Sequence, residues 1–315
     1  MESKILRLQL LAVLIAASVI GPANSQAQST EKVRIAIATG SLAFMVPFVA
    51  KDRGFYLKHG SDVELIQMRP NISVAALLSG EIHYIELIGS AIRSAARGLP
   101  IRAISTGIKA PFFSIIGQHK YKSIKDLKGA VIGLTSIGGT NHISTRITLT
   151  KLGFDPDKDV KFLAIGDEKV MFDAFKSGRA DVVVLAPPFS VQLKREGFPI
   201  LAQTAPHVVI PFSGLGTTIE RIQNNRAQIK RVLKAEIEAM RFIQTNSAGA
   251  TDVIRKRFNM DEKLARESYE SVVESFSRDG RVPLDGVGHS TADRKRPKID
   301  PRHRHAADGR RLDLG

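Results

Sequence analysis

A chain of 315 residues with 43% apolar content is long enough for two domains, each with a core of its own. It has no cysteine, which excludes disulfides, thiolate zinc sites, cysteine nucleophiles and a lipid-modified N-terminal cysteine. The formal charge of +15 is diffuse and sits on no recognisable nucleic-acid module, so it argues for steering of anionic ligands rather than for nucleic acid.

Residues 1–27 read as a secretory signal peptide. Lys4 and Arg7 make a basic start, Leu8 to Ile20 is apolar but short for a membrane span, Gly21-Pro22 breaks it, and Ser25-Gln26-Ala27 offers small residues for cleavage. The expected product is an exported, periplasmic protein.

Strands and helices then alternate. Val33–Ala38 is a short run rich in Val and Ile, a buried strand, and Leu42–Arg53 is a helix stopped at Gly54. Asp62–Gln67 is a strand, Ile72–Ser79 a helix, His83–Leu87 a strand, Ser90–Arg97 a helix and Ile101–Thr106 a strand. A second unit of the same kind follows. Its strands are Phe113–Gly117, Ala130–Leu134, Val160–Ala164, Asp181–Leu185 and Ile200–Gln203, with helices Gly139–Leu152, Glu168–Lys176 and one from Pro187 to about Arg195. The run Val182 to Leu185 is apolar at every position and reads as a central strand. Such alternation defines an α/β class with mostly parallel sheets flanked by helices.

From Ile219 the pattern becomes helical. Arg226–Thr245 sets Ile229, Val232, Leu233, Ile237, Met240 and Ile243 on one stripe, and Thr251–Phe258 and Asp261–Phe276 read as two more helices. His289–Gly315 carries eight basic and four acidic residues with no apolar period, and reads as a disordered tail. His303 and His305 suggest a metal tract, but the disordered-tail reading is favoured because no other ligands converge on them in sequence.

Five strand-to-helix turns are built of Gly, Ser, Thr, Asp and Pro: Thr39-Gly40-Ser41, Ile88-Gly89-Ser90, Thr135 to Thr140, Gly166-Asp167-Glu168 and Ala186-Pro187-Pro188. In open α/β sheets, ligands bind beyond the carboxyl ends of strands, where unpaired amides at helix starts favour anions. Gly40 permits a tight turn and Ser41 can cap the following helix. Asp167 either meets a ligand amine or caps its helix. Glu86 forms an ion pair or meets a basic ligand group, and His142 is either a ligand donor or a solvated helix residue. The phosphate-loop Lys, the dinucleotide fingerprint and the nucleophile elbow are all missing. Binding without catalytic residues, metal or cofactor is the expected use.

The ordered segments "SLAFMVPFVAKDRGFYLKHGSDVELI", "ALLSGEIHYIELIGSAIRSAARGLPIRAI", "SIKDLKGAVIGL", "LTKLGFDPDKDV" and "AFKSGRADVVVLAPP" resemble the periplasmic solute-binding proteins of ABC transporters, in the sulfonate, nitrate, taurine and thiamine-precursor group. The resemblance covers about residues 33–285. It implies a two-lobed periplasmic binding protein fold of type II, with lobe one at 33–107 plus 215–288 and lobe two at 111–210. Crossovers would lie near Thr106–Phe112 and Ile210–Gly216, with Gly107, Pro111, Pro211 and Gly214 on hinge duty. By position, Ser41, Leu42, Ala43, Ser90, Ser136, Gly139, Thr140 and Pro187 match the binding turns, Asp167 joins them, and Phe44, Tyr84, Phe112 and Phe189 wall the pocket. The implied role is a monomer that captures a small anionic or zwitterionic, sulfonate-like solute and delivers it to an ABC permease. The tail departs from the family, as a frameshifted or truncated end would. Two other readings stay open. One is a thiamine-pyrimidine synthase on the same fold, against which the missing cysteine and the signal peptide count. The other is a sensor serving a signalling partner.

Overall fold

The computed structural model describes residues 30–282, so the signal-peptide and tail expectations lie outside it. Among the described residues, ten strands form two five-stranded sheets. The first has the order β2-β1-β3-β10-β4, from Ser61–Gln67, Glu31–Ile37, Tyr84–Ile85, Gly216–Thr218 and Ile101–Ala103. The second has the order β7-β6-β8-β5-β9, from Lys161–Ala164, Val131–Leu134, Val182–Leu185, Ser114–Gly117 and Ile200–Gln203. The all-apolar strand β8 is central, fully buried on both faces as its sequence requires.

Both sheets are mixed. β1 is parallel to β2 and β3, but β10 runs antiparallel to β3 and β4. In the second sheet β6 is parallel to β7 and β8, while β5 is antiparallel to β8 and β9. The antiparallel members are the strands on which the chain enters each sheet from the other. β10 went unnoticed in sequence because three residues, Gly-Thr-Thr, carry no period.

Helices cover the sheets: α1 (Met45–Asp52, after a 3-10 turn at Leu42–Phe44), α2 (Phe55–Lys58), α3 (Pro70–Leu78), α4 (Ile88–Ala96), α5 (Thr140–Lys151), α6 (Glu168–Lys176), α7 (Phe189–Arg195), α8 (Ile219–Asn224), α9 (Arg226–Thr245), α10 (Ser247–Phe258) and α11 (Glu262–Glu270). On α9 the expected stripe is buried at Ile229, Val232, Met240 and Ile243, and Glu236 is buried with it. Three expectations are corrected. The strand placed at His83–Leu87 is only Tyr84–Ile85, because Glu86 and Leu87 leave the ladder. The strand at Ile101–Thr106 ends at Ala103, where the chain turns into the crossover. The helix placed over Asp261–Phe276 stops at Glu270 and gives way to a 3-10 turn.

Two crossings join the sheets and pair with each other. Gly107 N–H donates to Ser213 O at 2.8 Å, Phe212 N–H to Ile108 O at 3.0 Å and Ile104 N–H to Leu215 O at 2.8 Å. The segment after α11 lies alongside the first crossover. Ile108 bridges Phe276, Ser277 N–H donates to Gly107 O at 2.8 Å and Thr106 N–H to Gly280 O at 2.8 Å. Phe212 fills the angle between the crossings, edge-on to Phe112 at 5.1 Å and to Phe113 at 4.9 Å.

Candidate functional site

The turn after β1 meets the turns after β7 and β8. Leu42 N–H donates to the Pro187 carbonyl at 2.8 Å, and the Ser41 hydroxyl donates to Glu168 Oε1 at 3.0 Å. Gly40 N–H reaches Asp167 Oδ2 at 3.4 Å, and Gln67 Nε2 donates to the same oxygen at 2.7 Å. Gly40, Ser41 and Leu42 in the turn after β1, with Gln67 at the end of β2, thus contact Asp167, Glu168 and Pro187 on the other sheet's side. Ser41 was expected to cap its helix; instead its side chain crosses to the opposite sheet, and the cap makes no side-chain bond. Asp167 does cap, accepting from Lys169 N–H at 2.7 Å, and also joins this junction.

Glu168 heads α6 and is wholly buried. Its Oε2 accepts from Ala186 N–H at 2.6 Å. Burial pushes its carboxyl up to about 7, against the pull of the Ala186 amide and the Ser41 hydroxyl. Sequence reasoning passed it over, since an acid at a helix start is ordinary; the signal available was its place beside Asp167 in a Gly-led turn.

A second junction joins the turn after β3 to the turn after β6. A Cβ on Gly89 would lie 2.7 Å from Thr140 Oγ1, so the starts of α4 and α5 approach closely here and a larger residue would have to displace the Thr140 side chain. Pro70, Ser90, Arg93, Arg97, Ser136 and Gly139 line a cleft of about 310 Å³ here. Arg93 Nη2 donates to Ser90 Oγ at 3.3 Å. Neither arginine was singled out in sequence, although Arg93 stands one helical turn after Ser90. Gly138 takes a left-handed conformation, and its N–H donates to His142 Nδ1 at 3.1 Å. That bond and the edge-on contact with Phe162 at 4.8 Å fix the His142 ring, which is buried, not solvated.

The two junctions are neighbours by topology: β1 adjoins β3 in one sheet, and β6 adjoins both β7 and β8 in the other. Three polar atoms are buried there without a protein partner: Thr39 Oγ1, Ser136 Oγ and Asn141 Oδ1. A larger groove of about 830 Å³ is lined from both sheets by Gly40, Gln67, Asp167, Phe172, Phe189 and Phe258. Ala43 and Phe44 pack into the apolar core beneath the first turn. Tyr84 is also core, its hydroxyl donating to Gln228 at 2.8 Å. Of the two readings of Glu86, the ion pair is corrected: among the described residues no cation pairs with it, and it accepts from the Ser213 hydroxyl at 3.1 Å beneath the crossovers. Among the described residues no group of three His, Cys, Asp or Glu side chains could hold a metal ion.

Two mixed α/β sheets joined by paired crossovers, with strand ends turned toward each other, define the fold of periplasmic binding proteins. A protein of Bordetella bronchiseptica RB50 shares it with a TM-score of 0.73 at 22% identity, over 83% of this chain and 88% of that one. The periplasmic aliphatic sulphonate binding protein SsuA of Escherichia coli shares it with a TM-score of 0.61 at 19% identity, over 79% and 81%. The chain belongs to the NMT1/THI5-like family, whose profile matches residues 42–250. A protein of Brucella abortus (strain 2308), provisionally named a binding protein, is 25% identical over 296 residues, 88% of this chain and 90% of its own.

Proposed function

We propose that this chain is an exported solute-binding protein that holds a small anionic or zwitterionic organic solute, of sulfonate type, between two lobes and passes it unchanged to an ABC permease. Lobe one is assigned to 33–107 plus 215–288 and lobe two to 111–210, with cleavage of residues 1–27 on export. The carrying observation is the pair of junctions, where Ser41 and Leu42 meet Glu168 and Pro187 while Gly89 meets Thr140. Ser90, Ser136, Gly139 and Thr140 serve the anionic end, supported by the start of α5 and by Arg93 in the same cleft. Ser41, Leu42 and Asp167 serve the other end, with Pro187 fixing the approach of the turn after β8. Ala43 and Phe44 support the first turn from below. No helix among the described residues is long and apolar enough to cross a membrane, and the proposed delivery is to a separate permease.

The test is a thermal-shift screen of the exported protein against alkanesulfonates, aminosulfonates, nitrate, aromatic acids and pyrimidines. A ligand at a hundredfold excess over its dissociation constant adds about 2.7 kcal/mol of stability. A panel that leaves the melting temperature unmoved, or a ligand recovered chemically altered, contradicts the proposal.

A further inference from the structure

We propose that the chain carries a second, smaller binding site, for an oxyanion that keeps a proton, of the hydrogen-phosphate type, in a niche where α7 of the second sheet meets the segment after α11. The site is separate from the cleft at Ser136, and it goes beyond the solute-binding reading without depending on it.

The niche holds about 150 Å³ and is lined by Ser114, Ser190 and Lys194 on the second sheet's side and by Ser271 and Ser275 on the other. Pockets for organic ligands usually run to roughly 300–1,000 Å³, so this one suits a small ion. Ser114, at the start of β5, and Ser190, on α7, are only 7% and 4% exposed. Neither side chain has a partner among the described residues, and neither hydroxyl is among the polar atoms sealed from solvent. Two buried serines therefore open their hydroxyls into the niche. A buried serine ordinarily bonds a nearby carbonyl, as Ser144 does with Thr140 O at 2.7 Å. Leaving both hydroxyls unmatched in a buried place is costly, and a bound ligand offsets that cost.

Charge selects the sign of the ligand. Among the described residues lining the niche, Lys194 is the only charged one, and no acid pairs with it. The acids nearby are taken by the next residue, since Arg195 meets Asp261 at 3.5 Å and Glu267 at 3.7 Å. An ammonium and two hydroxyls in one small niche form a donor set for a tetrahedral oxyanion. Across from them Ser271 can only accept, because its hydroxyl donates to Ser268 O at 2.7 Å. Ser271 also ends α11, where the last carbonyls make that side negative. A fully deprotonated oxyanion such as sulfate meets lone pairs there, whereas hydrogen phosphate turns its P–OH toward them. The Ser275 carbonyl accepts from Lys109 N–H at 3.1 Å, so this wall is anchored to the first crossover. A bound ion would tie α7 to that crossover.

Calorimetric titration of the intact protein with inorganic phosphate and with sulfate, at pH 7 and with ionic strength held constant by sodium chloride, tests this. Phosphate should bind saturably at one site, at least about tenfold more tightly than sulfate, as expected where sulfate leaves an acceptor unmatched. Lys194→Met and Ser190→Ala should each weaken phosphate about tenfold or more. Lys194 is exposed and Ser190→Ala removes one oxygen, so both variants should melt close to the parent. Arg97→Gln, in the cleft beside Ser136, should leave phosphate binding unchanged. Absence of saturable phosphate binding, sulfate as tight as phosphate, or a loss that follows Arg97→Gln instead of Lys194→Met overturns the inference. None of these results bears on the solute-binding reading, which the ligand screen tests by itself.

Discussion

Gly214 lies against the backbone of Ser105: a Cβ on Gly214 would stand 2.3 Å from the Ser105 carbonyl oxygen. The two crossovers pass so closely here that only hydrogen fits, and Gly214 has φ of +148°, a conformation L side chains rarely adopt. Strain and backbone clash act together, because the contact atom cannot swing away as a side chain would. Gly214→Ala should therefore cost at least about 2–3 kcal/mol in urea denaturation. A variant as stable as the parent would contradict this packing.

The segment after α11 should contribute heavily to the same region. Phe276 is buried and bridges Ile108 on the first crossover. Phe276→Ala should lower stability by about 3–5 kcal/mol, the usual cost of emptying a buried aromatic site. A loss below about 1 kcal/mol in denaturant unfolding would mean that this segment is a loose cover.

Beneath the crossovers, Glu86 and Glu236 are both fully buried and interact electrostatically, with Tyr56 donating to Glu236 at 2.9 Å and Ser213 to Glu86 at 3.1 Å. Burial pushes Glu86 from 4.5 up to about 8, and Glu236 is also raised, by burial and by the charge of Glu86. The native state then binds more protons than the unfolded chain between these values. Stability contributed by the protonated pair is complete below pH 4.5 and is lost as pH rises through about 8. Glu168, raised to about 7, adds to the same slope. Urea denaturation at pH 5, 7 and 8.5 should show falling stability, and Glu86→Gln should flatten the fall and be the more stable protein at pH 8.5. A parent whose stability rises over that range contradicts the burial of this pair in its neutral form.

Much of the scaffold was legible because burial imposes period. The Val182 to Leu185 run gave the central strand, and α9 came out at Arg226–Thr245. What was hidden depended on partners distant in sequence. Ser41 looked like a helix cap until Glu168, 127 residues on, was brought to it. β10 is strand only because Gly216 sits between Ile85 and Ala103. Of the candidate site, the turns were visible through their small polar residues, whereas Glu168 and Arg93 were not, since a helix-start acid and a helix arginine look alike buried or solvated.

Enlarging Gly89 should act on binding more than on folding. The nearest atoms to a Cβ there are the side-chain ends of Thr140, at 2.7 Å, and Arg93, at 3.0 Å. Thr140 starts α5 on the other sheet's side, so Gly89→Leu should prop the junction open. We expect ligand affinity to fall more than about tenfold, or 1.4 kcal/mol, while unliganded melting shifts little. Undiminished affinity in calorimetry would show that closure does not need this approach.

The claim that both sheets hold one solute is tested most directly by amide hydrogen exchange with and without a ligand from the screen. The account predicts that the amides of residues 40–42 and 88–90 slow together with those of 136–140, 167–168 and 186. Slowing confined to the loops of one sheet, with the other unchanged, would contradict it.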